Sequence, residues 1–338
     1  MHDPTIPPVI PERGSHDLPH VGAVMRSHDV SGRGSYLFLK AGRVHSHHDE
    51  DEGSFHYFGR GVPLALDGLP LQNGATAVQH NAVTFNRRGQ PSGIVEHFTS
   101  SPNADYVRAR IAPRAFACDA MYYDDQHRSG FTRELMLVKA PKPGGIEYLV
   151  VKDTCVGPDA PQWNLDVLSR QPEAVGDSHL WFPGHPEFGM GLDVIFVEPA
   201  APSVTFEAGT VNPKLVTSEG RATLGFLEVD FSITEHWLLH ATGVPGATFL
   251  AVLFPRRAEE PVPVVEYLNR EETLAITHAD RRDLLFLRPN PKLAVSLEGI
   301  RFAGRAGFAR RRDGQWTCTA LEGEMAEVAT ALPIRVLR

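Results

Sequence analysis

Within His45-Ser46-His47-His48-Asp49-Glu50-Asp51-Glu52, three histidines and four carboxylates crowd into eight residues. Neutral imidazole and carboxylate together form a donor set for Zn²⁺ or a similar divalent cation. The same groups can steer a charged substrate. On an extended strand alternate residues share a face, so His45, His47 and Asp49 would line one side and His48 the other. The strand-like run Phe55 to Leu66 follows and ends at Asp67, with His80-Asn81 further on. Asp67 comes directly after the apolar Pro63-Leu64-Ala65-Leu66, which brings its carboxylate toward the interior, where a charge needs a partner. The acidic run also reads as a solvated loop with incidental histidines, since the chain has 16. His80 and Asn81 also read as a satisfied turn.

Other groups carry weaker signals. His179-Leu180-Trp181-Phe182-Pro183-Gly184-His185 could line a sugar site through Trp181, because aromatic faces pack on sugar rings; the same residues also read as core and loop packing. Tyr122 and Tyr123 stand beside Asp124 and Asp125 and are the tyrosines best suited to a cleft; the others sit in strand-like runs. His236-Trp237-Leu238-Leu239-His240 alternates as an ordinary strand does. Arg256-Arg257 and Arg310-Arg311-Arg312 read as solvated basic faces. Nucleophile-elbow, zinc-protease and phosphate-loop patterns are absent, and Gly59-Arg60-Gly61 and Asn73-Gly74 are turn glycines.

The elements that must hold these groups are strands. Short segments such as Ser35–Lys40, Leu135–Lys139, Glu147–Lys152, Leu192–Val197, Phe249–Phe254 and Asp283–Leu287 are mostly rich in β-branched or aromatic residues and end at Gly, Pro or Asn. No segment keeps an apolar 3.6-residue period over three turns, and Met325 to Leu332 is too short for a stable helix. The pattern predicts an all-β chain with few short helices, a large antiparallel β-sandwich over residues 21–338. A small β-annex near 270–338 could extend it, and residues 1–20 form an irregular arm. At 338 residues the chain can bury one large core or two smaller ones. Its net charge of -8 makes nucleic acid an unsuitable partner, although a locally basic cleft could still take an acidic polysaccharide. The widely spaced Cys118, Cys155 and Cys318 make no disulfide framework. No apolar run reaches the ~18 residues of a membrane span, and the first residues lack a signal-peptide pattern.

In order and spacing these segments resemble the C-terminal β-sandwich of the heparinase II/III-like polysaccharide lyases. The resemblance rests on His45-Ser46-His47-His48-Asp49, Gly53-Ser54-Phe55, Gly61-Val62-Pro63-Leu64-Ala65-Leu66-Asp67-Gly68 and His80-Asn81-Ala82-Val83-Thr84-Phe85. It continues through Ala104–Val107, Arg133–Val138, Tyr148–Asp153 and Phe249–Pro255, and runs from about residue 20 to the C-terminus. Glu50 and Asp51 stand as an insertion in the family pattern, which leaves the register of His45, His47 and His48 open.

The resemblance implies a structural zinc held by His47 or His48 with Asp67 and His80. It places His45 where a uronate carboxylate docks and suggests β-elimination on an acidic polysaccharide or oligosaccharide; Arg60 is a further candidate for the same open face. Family enzymes place an α/α-toroid before the sandwich, and that domain supplies the tyrosine and histidine of the reaction. Nothing in this chain reads as a helical array, so turnover is expected to depend on a helical domain or subunit. The remaining alternatives are a non-catalytic, metal-stabilised carbohydrate-binding or structural sandwich, and a metal-dependent hydrolase or cupin-like enzyme with an open coordination position.

Overall fold

Two burial patterns sort the strands. Tyr36–Lys40 and Phe55–Gly59 alternate between buried and half-buried positions, as a sheet with one face on a core does. Gly130–Val138, Tyr148–Val156 and Thr248–Arg256 are buried almost without interruption, so both of their faces must be covered. The computed structural model shows how. It describes residues 14–27, 33–42, 50–66, 77–112, 128–142, 144–209, 221–224, 227–230, 236–268, 273–279, 281–289 and 291–327.

Three large sheets form three layers. The first has nine strands, in the order His16–Leu18, Gly22–Arg26, Tyr36–Lys40, Phe55–Gly59, Val62–Ala65, Pro161–Leu168, His236–Thr242 and Ser203–Ala208, with Val83–Phe85 also pairing to Pro161–Leu168. The middle sheet has eight, in the order Glu173–Ala174, His179–Phe182, Gly191–Glu198, Thr248–Arg256, Tyr148–Val156, Gly130–Val138, Ala104–Ile111 and Gly93–Ser100. The third has six and runs from Val264–Leu268 to Gln315–Glu327. Strand pairing in all three sheets is antiparallel. The helical content among the described residues is a single 3₁₀ turn, Ala77–Gln79.

The all-β sandwich expected from the sequence is therefore present, with two adjustments. His16–Leu18 forms a strand paired with Gly22–Arg26, so the irregular arm ends earlier than residue 20. The extension at the C-terminal end starts at Val264 and is a full layer, packed on the far face of the middle sheet.

Successive residues of the middle sheet feed two different cores. Leu149, Val151, Phe249, Ala251 and Leu253 pack with Leu37, Leu39, Phe55, Trp163 and Leu239 of the first sheet. Tyr148, Val150, Leu250, Val252 and Phe254 pack with Leu274, Leu285, Leu287 and Phe308 of the third. The period of two thus serves both layers from one run of sequence.

Two pairs of opposite charges sit in the same strands. Arg133 and Asp153 lie directly across from each other, as do Glu134 and Lys152. By the same alternation, the first pair faces the first sheet and the second pair the third sheet. Arg133 and Asp153 are completely buried and form a two-pronged ion pair, Nε to Oδ1 at 2.8 Å and Nη2 to Oδ2 at 2.7 Å. The Trp163 indole N–H donates to Asp153 Oδ2 at 2.9 Å, and the guanidinium lies over the rings of Phe55 and Phe131. On the other side, Lys152 donates to the Leu287 carbonyl at 2.9 Å and stands 3.8 Å from Glu134, which accepts from the Tyr106 hydroxyl at 2.5 Å.

Removing one member of such a pair leaves an uncompensated buried charge. Asp153→Ala is expected to cost about 3–5 kcal/mol of stability, and the double variant Arg133→Met, Asp153→Leu clearly less. Urea unfolding of the three chains checks the order; a single variant as stable as the double one contradicts it.

Candidate functional site

Arg133 also reaches out of its pair to the two sequence motifs that drew attention first. Its Nη1 donates to the carbonyls of Gly53 and Asn81, the latter at 2.5 Å. Ser54 Oγ accepts the Asn81 amide at 3.0 Å. The Asn81 side chain donates to the carbonyls of Phe55 at 2.8 Å and Leu66 at 3.0 Å, and its Oδ1 accepts the Asp166 amide at 2.6 Å. One carboxamide therefore joins three strands at their common end. Gly53 is required there: its φ is +91°, and a Cβ would come 2.7 Å from the ring of Phe131. His80, adjacent to Asn81, is 2% exposed.

The acidic run is built into the same corner. Glu50 holds Arg88 through a double contact and accepts the Gly89 amide at 3.0 Å. Asp51 pairs with Lys40. Glu52, 1% exposed, accepts the Gly42 amide at 2.7 Å. These three carboxylates anchor the chain around residues 40, 42 and 88, so the picture of a solvated acidic loop does not hold for them. Burial pushes the Glu52 carboxyl up to about 7, against the lowering influence of Lys40 and the Gly42 amide.

A second group of polar side chains lies on the face of the first sheet that points away from the core. Trp163, Leu165 and Val167 face inward with Leu239 and Ala241; the intervening Gln162, Asn164 and Asp166 face outward beside His236 and His240. Asp166 Oδ1 lies 2.7 Å from His236 Nδ1. Asn164 Oδ1 accepts from Gln162 Nε2 at 2.7 Å and stands 2.8 Å from His240 Nδ1, and its amide donates to Ala82 O and Thr84 Oγ1. Gln162 Nε2 stands 3.1 Å from the same His240 Nδ1, so that nitrogen has a donor and an acceptor beside it. The His236 ring packs flat against Gly209, where a Cβ would lie 1.9 Å from it.

The two imidazoles are tuned in opposite directions. Burial disfavours the His236 cation, but the hydrogen bond and charge of Asp166 together outweigh it and raise the pKa. Burial lowers the pKa of His240, with Arg87 adding to it and Glu207 opposing. His236 is therefore shifted toward its cationic form and His240 toward its neutral one. Four residues apart on one strand, they stand roughly 13 Å from each other at ~3.3 Å per residue, too far to act as acid and base on a single bond.

This layered arrangement has solved counterparts. Heparan sulfate lyase HepC from Pedobacter heparinus superposes with a TM-score of 0.57 over 93% of this chain and 44% of its own, at 13% identity. Two structures of heparinase III superpose at 0.57 and 0.56, each at 10% identity, over 95% and 92% of this chain and 43% of their own. The likeness is one of fold, and the chain spans less than half the length of these lyases. No family model and no curated protein matches the sequence.

Of the residues singled out from the sequence, His45, His47, His48, Asp67, Tyr122 and Tyr123 lie outside the described residues. His80 is buried at the Asn81 junction. Arg60 forms a two-pronged pair with Glu260, at 2.6 and 3.0 Å. Trp181 lies under the Arg256 guanidinium, 3.9 Å from its ring centre, while His179 and Arg256 both bind the fully buried Asp193. No group of three or more metal-binding side chains is present among the described residues. Arg256 and Arg310 are 7% and 6% exposed, so neither belongs to a solvated basic face; each is matched to a buried aspartate on a neighbouring strand. Taken alone, His236–His240 shows only the alternation of a strand and does not reveal the outward row. Its signal lay in the equal alternation of Gln162, Asn164 and Asp166.

Glu52 gives this corner a pH signature. Its carboxyl is bound more tightly to its proton in the folded chain than in the unfolded one. Its stabilising contribution is full below the ordinary value of 4.5 and fades as pH rises through about 7. Glu52→Gln should therefore gain on the wild type between pH 5 and 8, by up to a few kcal/mol. Melting temperatures of both chains across that range test it; a constant difference contradicts the assignment.

Proposed function

We propose that this chain is a polysaccharide-lyase module that binds an acidic, uronate-containing polysaccharide or oligosaccharide and takes part in its β-elimination with a helical domain or partner subunit. The observation that carries the reading is the fold likeness to heparan sulfate lyase HepC over nine-tenths of the chain. The polar row of the first sheet adds chemical support. β-Elimination removes a proton from the carbon beside a carboxylate and expels the glycosidic oxygen. It needs a base, a proton donor and a group that stabilises the growing charge on that carboxylate. A protonated His236, held by Asp166, suits the third task.

The first two tasks need groups on opposite sides of one bond. Tyr57, Tyr106 and Tyr148 are fully buried, and burial raises each phenol well above its ordinary pKa. With His236 and His240 also far apart, the acid–base pair is assigned to the helical partner. Tyr122 and Tyr123 are the candidates within this chain, and His45 and Trp181 the further substrate contacts; Arg60 would reach an acidic sugar only by giving up Glu260.

For the metal, His80 suits a structural ligand. It is buried, and its neighbour Asn81 hydrogen-bonds Leu66, the residue before Asp67. His47 or His48 would complete the set. A zinc ion bound there would tie these segments together and add stability by linkage. The second reading, a non-catalytic carbohydrate-binding sandwich, draws on the same separation of the two histidines.

Calorimetry of the chain with a uronate oligosaccharide at low salt is expected to show binding that weakens about tenfold in His236→Gln and in His45→Ala. Binding should also fade as pH rises through the His236 pKa. Ultraviolet absorbance of unsaturated uronate should show little turnover by the chain alone. Absence of binding sinks the proposal, and robust turnover by the chain alone removes the need for a helical partner. Metal analysis should find about one zinc per chain. Its absence, with an unchanged melting temperature for Asp67→Ala, removes the metal site.

A further inference from the structure

His236–Thr242 has a neighbour on each side, Pro161–Leu168 on one and Ser203–Ala208 on the other. The last pair of the second ladder is Ala208 with Trp237. The Gly209 amide then donates to the His236 carbonyl at 2.9 Å, so Gly209 stands directly across from His236. Val204 and Phe206 pack toward the core, and Ser203, Thr205, Glu207 and position 209 alternate to the outward face with His236. A side chain at 209 would share that face with the imidazole at the close spacing of opposed residues.

The imidazole fills that space itself. An ideal Cβ on Gly209 would come 1.9 Å from both Cε1 and Nε2 of His236 and 2.3 Å from Cδ2. On the other flank Nδ1 meets Asp166 Oδ1 at 2.7 Å. The ring therefore lies across its own strand, from Asp166 to the place of the missing side chain. The φ of Gly209 is outside the left-handed region, so the backbone there suits alanine and the ring alone stands in its way. The titratable groups that the two flanking strands put on this face are Asp166, 5% exposed, and Glu207, whose side chain is 71% exposed. With Nδ1 committed to Asp166, Nε2 has no hydrogen-bond partner among the described residues, and the His236 side chain is 21% exposed.

We propose that Gly209 is a positioning residue for His236: the room it leaves lets the ring lie flat, keeps Nδ1 on Asp166 and turns the Nε2–H of the protonated ring toward a uronate carboxylate. The inference rests on the lyase-module reading for its ligand and on the geometry alone for the clamp. A charge-assisted hydrogen bond of this kind is strong where its direction is held. Asp166 fixes one nitrogen of the ring, and position 209 fixes the angle at which the other is presented.

Nuclear magnetic resonance of the wild type should show cross-relaxation between the Gly209 α-protons and the His236 ring; its absence overturns the proposal without any variant. The His236 signal, recognised by its loss in His236→Gln, is then titrated in Gly209→Ala and Thr205→Ala. An alanine at 209 pushes the ring off Asp166 and removes the influence that favours its cation, so His236 should titrate at a lower pH than in the wild type. Thr205→Ala changes the same strand and face away from the ring and should leave the titration unmoved. Calorimetry at low salt and about pH 6, where a histidine is largely charged, uses a hyaluronan tetrasaccharide as probe. Gly209→Ala should weaken it about tenfold, as His236→Gln does, and the two substitutions together should cost no more than one. A titration unmoved by Gly209→Ala overturns the proposal, and so does a moved titration with tetrasaccharide binding intact. Absence of binding by the wild type sinks the lyase reading instead, while the titration still decides the clamp.

Discussion

Everything in this chain is arranged around two charge pairs in the middle of its middle sheet. Arg133 with Asp153 and Glu134 with Lys152 are consecutive cross-strand neighbours that point to opposite faces. Each ion loses its water on folding, a penalty of several kcal/mol per charge that Coulomb attraction alone does not reliably return. What offsets it is the set of additional hydrogen bonds from neighbouring layers. Trp163 completes Asp153 from the first sheet, and Leu287 completes Lys152 from the third. A register shift of one residue in either strand would exchange the faces and strand all four charges. The pairs therefore do more to specify how three sheets stack than to stabilise the stack, which the two apolar cores supply.

The same guanidinium explains why the candidate site is where it is. Arg133 donates to backbone carbonyls in the Gly53 turn and at Asn81, and Asn81 binds Phe55, Leu66 and Asp166. Asp166 in turn holds His236 on the outward face. A path of hydrogen bonds and short backbone links thus runs from the centre of the molecule to the His236 imidazole, whose pKa Asp166 raises. Glu50, Asp51 and Glu52 brace the same corner against Arg88, Lys40 and the Gly42 amide. The acid-rich stretch is a fastening for the strand ends, and positions about the corner are fixed before any ligand arrives.

Much of the architecture was legible in the order of residues, because burial on one face or two writes itself into a single strand. Leu135-Met136-Leu137-Val138 and Phe249–Phe254 are continuous apolar runs since each serves two cores. Phe55–Gly59 alternates because it serves one. The third layer was legible as strands, though not in extent: Val264–Leu268 is mostly exposed or half-buried and lacks a core signature of its own. The partnerships were not legible. Asp153 is 20 residues from Arg133, Asp283 is 27 from Arg310, and Asp166 is 70 from His236. A charged residue inside an apolar strand announces that a partner exists, and only the register names it. That is why arginines 256 and 310 looked like surface charges and His236 like plain strand.

The division of labour in such a fold follows from strand geometry. Side chains on one face of a strand recur about every 6.6–6.8 Å along it, and neighbouring strands lie about 4.8 Å apart. A sheet face thus presents groups on a regular, flat lattice. That suits an extended ligand which meets several of them in turn. It suits proton abstraction poorly, since a base and an acid must close on one bond from two directions within hydrogen-bond reach. A wall opposite the sheet, supplied by loops or by a second body, converts the platform into a cleft. The lyases that share this fold are more than twice as long as this chain, so each carries substantial structure beyond the part that superposes. On geometric grounds a sheet face can present charge to an extended ligand, and proton transfer to one bond needs a second surface opposite it.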